Sequence, residues 1–323
     1  MKNILNEIET DIIDIKTKNF QYSSTKIVPS RHDTTLTFER GVDKMGKEIE
    51  TCVLYVDIRN SVELNRIHNT QTMGRIYTAF SKSMLKTARH HNGFVRNIIG
   101  DRVMIVFSAY NCYTNAVNCA ISIYHISHFI INKVFTDVDF KCGIGIDYGT
   151  LKVIKVGLHR RGNEGFDNKN LVWVGYPANL ASRLTDVANK SVDNSVVKVK
   201  YYPYDYSFLF SFQNFAEKAR IGNKIYQDTE REDFLTNEEF AKKLSFSDIN
   251  KINYSGGKLI RFDRYDSKLD FPPILMTSRV YFGFKNANPN RSSIKNNMWK
   301  RYKNHNIKNV DCDVYGGTIN WLI

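Results

Sequence analysis

Residues 92–107 read NGFVRNIIGDRVMIVF. Val95, Ile98 and Ile99 precede a Gly100-Asp101 pair, and Val103, Met104, Ile105, Val106 and Phe107 follow it. Two apolar, β-prone runs around Gly-Asp predict a hairpin whose tip carries Asp101. A turn carboxylate has a plain explanation, because it costs little in water. Rigid strands on both sides equally suit it to present a ligand, and the choice depends on whether a second carboxylate arrives at the same place.

Working outward, CVLYVDI (52–58) is a dense apolar run that reads as a buried strand with Asp57 near its end. Residues 69–91 predict a helix, with Met73, Ile76, Tyr77, Phe80, Met84 and Leu85 near a 3.6-residue period and a stop at Asn92-Gly93. His90 and His91 would cap its C-terminus, where a charged imidazole is favourable. A second helix, about 112–132, carries Ala116, Ala120, Ile123 and Ile130 on one face. VDFKCGIGIDYGTLKVIKVG (138–157) reads as two strands joined at Asp147-Tyr148-Gly149, and LVWVG (171–175) as another. PANLASRLTDVAN (177–189) reads as a helix opened by Pro177. Strand, helix, hairpin, helix, hairpin, strand, helix predicts an α+β, ferredoxin-like fold, with helices on one face of a mostly antiparallel sheet. In that sheet the end of the first strand neighbours the hairpin tip, so Asp57 and Asp101 converge. Two hard oxygen ligands suit Mg²⁺ or Mn²⁺, and without a cation the carboxylates repel each other.

The 323 residues are 42% hydrophobic and 13% aromatic, a composition that folds. Four segments follow: residues 1–50 packing on the domain, a core over 51–190, an insertion over 191–270 and C-terminal strands over 271–323 that complete the core domain. Ile4, Ile8, Ile12 and Ile15 fall at helical spacing and predict a short packing helix. The insertion, with YYPYDYSFLFSF (201–212) and an acidic patch at 228–239, shows few periodic signals. Regular structure resumes at PPILMTSRVYF (272–282), and VYGGTINWLI (314–323) predicts a last strand. Cysteines 52, 112, 119, 142 and 312 show no metal-ligand spacing and read as reduced, mostly buried thiols of a cytoplasmic protein. No stretch reads as a signal peptide or a membrane span. The net charge of +13 raises nucleic acid, anionic lipid or polyphosphate as partners without choosing among them. Its densest cluster, KNNMWKRYKNHNIK (295–308), interleaves Trp299 and Tyr302 with cations, a pattern that stacks on bases but more often marks a solvated helix face.

LYVDIRNS, FVRNIIGDRVMIVF, GIGIDYG and LVWVGYPANLASRL together resemble, in order and spacing, the catalytic domain of the class III nucleotidyl cyclases. The resemblance implies a homodimer with active sites at the interface, one protomer supplying metal ligands and the other supplying base-reading and transition-state residues. It assigns Asp57 and Asp101, with the carbonyl of Ile58, to two divalent cations, Mn²⁺ or Mg²⁺. Asn179 then orients the ribose and Arg183 stabilises charge on the α-phosphate; a spacing of four puts both on one helix face. The implied reaction is attack of a 3′ hydroxyl on the α-phosphate with loss of pyrophosphate. Tyr148 and Arg59 fall near the site without an assigned role, and the insertion hides the lysine that grips the β and γ phosphates.

The positions that read purines in this family are Asn97 and Val172 here, in place of the Lys and Asp/Thr of adenylate cyclases or the Glu and Cys of guanylate cyclases. A neutral amide can bond the edge of cytosine or uracil. Val172 and Trp173 would line a drier pocket, while strand alternation would send Arg96 to the opposite face. The wider sequence over residues 28–190 resembles the bacterial pyrimidine cyclases of Pycsar antiphage defence, which implies conversion of UTP or CTP to cyclic UMP or CMP and a downstream effector. Three rivals remain: a purine cyclase with an atypical pocket, an inactive cyclase-like nucleotide sensor, and an RNA-binding module. The intact aspartates, Asn179 and Arg183 weigh against the sensor, and the aliphatic strands against RNA.

Overall fold

The computed structural model describes residues 1–157, 169–205, 226–248, 251–303 and 305–322. It divides into one unit of residues 1–190, 271–302 and 307–323 and a second of residues 191–270 and 303–306. Residues 206–212 of the aromatic stretch, Asn304 of the basic cluster and Ile323 lie outside the described residues.

The first unit opens with α1 (Lys2–Thr17) and β1 (Phe20–Ser24), then β2 (Lys44–Ile58), α2 (Ser61–Ile67) and α3 (Thr70–His90). The predicted hairpin follows as β3 (Gly93–Ile99) and β4 (Arg102–Phe107), with Gly100 at φ +58°, where a glycine is unstrained. Next come α4 (Cys112–His125), β5 (Cys142–Gly157), β6 (Lys169–Val174) and α5 (Tyr176–Val187). A C-terminal strand at Ile274–Thr277, a helix at Ser278–Ala287 and strands at Lys300–Tyr302 and Val314–Gly317 complete the unit. Strand neighbours run β5-β2-β4-β3, all antiparallel, and Ile274–Thr277 extends the sheet parallel to β5. This is the ferredoxin-like α+β pattern, strand–helix–hairpin–helix–strand with the last strand beside the first.

α3 forms because Asn69 accepts the Thr72 N–H at 2.9 Å as its N-cap, and because Met73, Ile76, Phe80 and Met84 repeat on one face. Ile76, Phe80 and Met84 are fully buried against the sheet with Val56, Ile105 and Phe107, each side chain contributing about 1.5–3 kcal/mol. Leu85 departs from this face and is exposed. On α4, Ala116, Ala120 and Ile123 are buried as expected, but Ile130 is exposed. A π-helical turn at Ile126–Ile131 advances the backbone and buries Ile131 instead. His91 is not a charged cap: burial lowers its pKa to about 4, and the neutral ring lies 2.8 Å from Ser122 Oγ.

Two expectations about the sheet fail. Residues 142–157 form one strand, not two joined at Asp147-Tyr148-Gly149, because β5 stays in register with β2 from Ile58↔Cys142 to Lys47↔Val153. The helices also do not share one face. α3, α4 and the Ser278–Ala287 helix cover one side, while α5 covers the other, burying Ala178 and Ala181 against Val53, Met104, Val106 and Leu151. Gly145 permits that contact, since a Cβ there would sit 2.2 Å from the Ala181 carbonyl.

α1 forms, but none of its residues is buried, so its isoleucines do not pack on the domain. Trp299 of the basic cluster is buried in the core, where it cannot stack on a base. Cys52, Cys112, Cys119 and Cys142 are buried free thiols and Cys312 is half-buried. No helix among the described residues is long and apolar enough to cross a membrane.

The second unit is a sheet where the sequence reading assigned no strands. β7 (Ser191–Pro203) pairs along its length with a strand at Gly257–Asp270, flanked by strands at Arg231–Thr236, Leu244–Asp248 and Lys251–Tyr254. Val197, Val199, Tyr201, Leu235, Phe240 and Tyr254 form its own small core.

Candidate active site

β2 and β4 set the two aspartates at one end of the sheet. Asp57 stands opposite Arg102 in the ladder, so Asp101, the preceding residue, lies at the same end of the sheet, with Ile58 beside it. Asp57 is held by cations: its Oδ2 is 3.0 Å from Arg102 Nη2 and 3.4 Å from Arg59 Nη1. Asp101 is half-buried, and among the described residues its carboxylate has no ion pair or side-chain hydrogen bond.

Arg59, left without a role by the sequence reading, is a positioning residue. It is 4% exposed, donates from Nε to the Ala188 carbonyl at 2.8 Å and from Nη2 to the Thr185 carbonyl. Those carbonyls end α5, so one buried guanidinium satisfies a helix C-terminus and fixes it beside Asp57. Burial lowers the Arg59 pKa, and the Asp57 charge opposes that. Arg102 makes the second tie, from Nη1 to Ser182 Oγ at 2.9 Å and from Nη2 to Asp186 and Asp57. Burial works against its cation, but hydrogen bonds to Asp186 and Asp57 outweigh burial and raise its pKa.

Ser182 and Asp186 form one edge of the polar half of α5. Asn179 and Arg183, also four apart, stand beside that edge; Asn179 is exposed, Arg183 half-buried, and neither has a side-chain partner among the described residues. No hydrogen bond or ion pair joins either of them to Asp57 or Asp101 within the described chain. Tyr148 is turned to the other side of the sheet, its ring 4.6 Å from that of Tyr113.

At the base-reading positions the structure corrects the alternation argument. A bulge between Val95 and Asn97 inserts Arg96 into β3. Phe94 and Asn97 oppose Val106 and Met104, which share a cluster with Trp173. Arg96 lies with them, its Cζ 5.0 Å from the Phe94 ring and 5.7 Å from Trp173, because a bulge breaks the two-residue period. Its Nε is buried without a partner. Val172 points away from Trp173 on β6 and is 38% exposed, so it does not line a dry pocket with it. A cavity of about 260 Å³ lies at this place, lined by Ser30, Arg31, Val95, Arg96, Asn170 and Trp173.

Aspartates are hard oxygen donors of the kind that Mg²⁺ or Mn²⁺ takes, and Asp57 and Asp101 lie at one sheet end; among the described residues no group of three or more His, Cys, Asp or Glu could hold a metal ion.

A uridylate cyclase from Burkholderia cepacia is 31% identical to the chain over 179 residues, 54% of this chain and 73% of that protein. The chain belongs to the class III nucleotidyl cyclases. The cyclase is also 26% identical over 208 residues to a uridylate cyclase from Rhodovulum sp. (strain MB263), covering 62% of this chain and 81% of that protein. Among solved structures, the adenylyl cyclase CyaB from P. aeruginosa superposes with a TM-score of 0.45 at 13% identity, over 86% of this chain and 97% of that one. No protein-family model matches the cyclase.

Proposed function

We propose that this cyclase converts UTP to 3′,5′-cyclic UMP and pyrophosphate, as the signal generator of a bacterial antiphage defence system. The register that sets Asp57 opposite Arg102, and so beside Asp101, is the observation that carries the reading. Asp57, Asp101 and the Ile58 carbonyl would hold two divalent cations, Mg²⁺ or Mn²⁺, which when bound lower the pKa of the attacking hydroxyl and neutralise the triphosphate. In the reaction the 3′ oxygen bonds to the α-phosphorus, the bond from that phosphorus to the pyrophosphate oxygen breaks, and the hydroxyl proton passes to water. Arg183 of the partner subunit donates to the α-phosphate as charge develops, and Asn179 of the partner subunit orients the ribose.

The choice of base rests on Asn97 and on relatives named uridylate cyclase. Arg96 lies on the same side of β3 as Asn97, over Phe94 and Trp173, and its Nε is buried without a hydrogen-bond partner among the described residues. Uracil carries a carbonyl oxygen where cytosine carries an amino group, so an Asn97 side chain that turns its amide nitrogen to that oxygen favours UTP. Incubating the purified protein with ATP, GTP, CTP or UTP and Mn²⁺, with the product identified by mass, is the test. Cyclic UMP is expected. A purine product overturns the reading of Asn97, and cyclic CMP overturns the choice of uracil. Expressed in a bacterial host together with its downstream effector, the cyclase should confer phage resistance that Asp101→Asn abolishes.

A further inference from the structure

Asp57 Oδ2 is met by two guanidiniums that differ in freedom. Arg59 is fixed: its side chain is 4% exposed, its Nε and Nη2 are committed to the Ala188 and Thr185 carbonyls, and Nη1 stands 3.4 Å from Asp57. Gly143 lies so close that a Cβ there would overlap the guanidinium. Arg102 has room to move. Its side chain is 29% exposed, and its Nη2 is divided between Asp57, at 3.0 Å, and Asp186, itself 54% exposed. Nη1 donates to Ser182 Oγ at 2.9 Å.

Ser182 and Asp186 stand four apart on α5, so one helix face offers a hydroxyl and a carboxylate to the same planar fork. Both contacts remain when Asp57 is given up. We infer that Arg102 is the exchangeable counter-ion of Asp57, and that Asp186, with Ser182, is the positioning residue that receives it when a divalent cation takes the carboxylate. The inference rests on the assignment of Asp57 to such a cation.

A doubly charged ion and a guanidinium repel each other when they share one carboxylate in a partly buried place, where water and salt screen less. Arg59 cannot yield, because moving it leaves two carbonyls at the end of α5 without a donor. Arg102 yields by a side-chain rotation that keeps Ser182 and Asp186. Without Asp186 the displaced charge would hold only a neutral hydroxyl, and the cation would bind less well. A plain staple between β4 and α5 predicts the opposite for Arg102: removing it loosens the sheet end and weakens the cation site.

Titration of the purified full chain with Mn²⁺ to millimolar concentration, without nucleotide and with the free ion read by electron paramagnetic resonance, is the test. Binding that Asp101→Asn weakens establishes the cation site; binding that Asp101→Asn leaves unchanged, or none, overturns the metal assignment and this inference together. Arg102→Gln, with its fold checked by the urea midpoint, is expected to tighten Mn²⁺ binding several-fold. Unchanged or weaker binding in the folded variant overturns the exchange. Lys190 feels the charges of Asp57 and Asp186 without an ion pair to either among the described residues. Lys190→Gln should therefore tighten binding far less, and equal tightening overturns the exchange by reducing it to net charge. Asp186→Asn, at an exposed site, should weaken Mn²⁺ binding several-fold alone and have no effect when added to Arg102→Gln. The same loss in both backgrounds overturns its role as receiver, because Asp186 would then act on the ion itself.

Discussion

At the scale of single residues, Asp57 and Asp101 differ in what surrounds them. Asp57 has Arg59 and Arg102 within ion-pair distance, whereas Asp101 has neither an ion pair nor a side-chain hydrogen bond among the described residues. A cation that takes Asp57 competes with two guanidiniums already tied to α5, so Asp57→Asn should weaken both activity and fold. Loss of a charged hydrogen-bond partner costs about 1–3 kcal/mol. Asp101→Asn is the cleaner probe: cyclic nucleotide formation should fall by at least about 100-fold, as expected when a ligand of a catalytic cation is lost, while the urea midpoint stays at the parent value. Turnover close to the parent rate in Asp101→Asn would sink the metal assignment.

Secondary-structure elements set the spacing of the site. α5 can approach β5 because Gly145 has no Cβ to meet the Ala181 carbonyl at 2.2 Å and the Thr185 amide at 2.5 Å. Gly145→Ala should force the helix outward and cost about 1–3 kcal/mol as an overpacked contact, read as a lower midpoint in urea; an unchanged midpoint would show that α5 moves freely. Since α5 carries Asn179, Arg183 and the Arg102 partners Ser182 and Asp186, activity should fall further than stability alone explains. The hairpin, α3 and α5 were legible because their apolar periods and end signals are local. The bulge at Arg96 and the π-turn at Ile126–Ile131 were not, since one extra residue in a ladder or a turn leaves no mark on a period counted along the chain.

For the whole molecule, the proposal that two copies share each site leads to a complementation experiment. Asp101→Asn and Arg183→Ala are each expected to be inactive alone. Mixed after refolding together, they should recover about a quarter of the parent activity, because half the dimers pair one of each and hold one intact site. No recovery in a sample shown to exchange subunits would mean that each chain completes its own site. The second unit was the least legible part: Val197, Val199 and Tyr201 alternate with lysines and are buried, but the strand at 257–270 that they pair with lies far along the chain, and a short alternation does not reveal its partner.

The sequence by itself determined the order of the strand, helix and hairpin around residues 52–107, the two carboxylates at the strand end and the hairpin tip, and the amide at position 97. These rest on local spacing, and local spacing survives folding. Only the tertiary structure decided that β5 is one strand, that α5 lies on the face opposite α3, that Arg59 and Arg102 bind α5 to Asp57, and that Arg96 shares a side of β3 with Asn97. Each depends on groups up to 129 positions apart, such as Arg59 and Ala188. Their meeting is set by how layers pack and registers align.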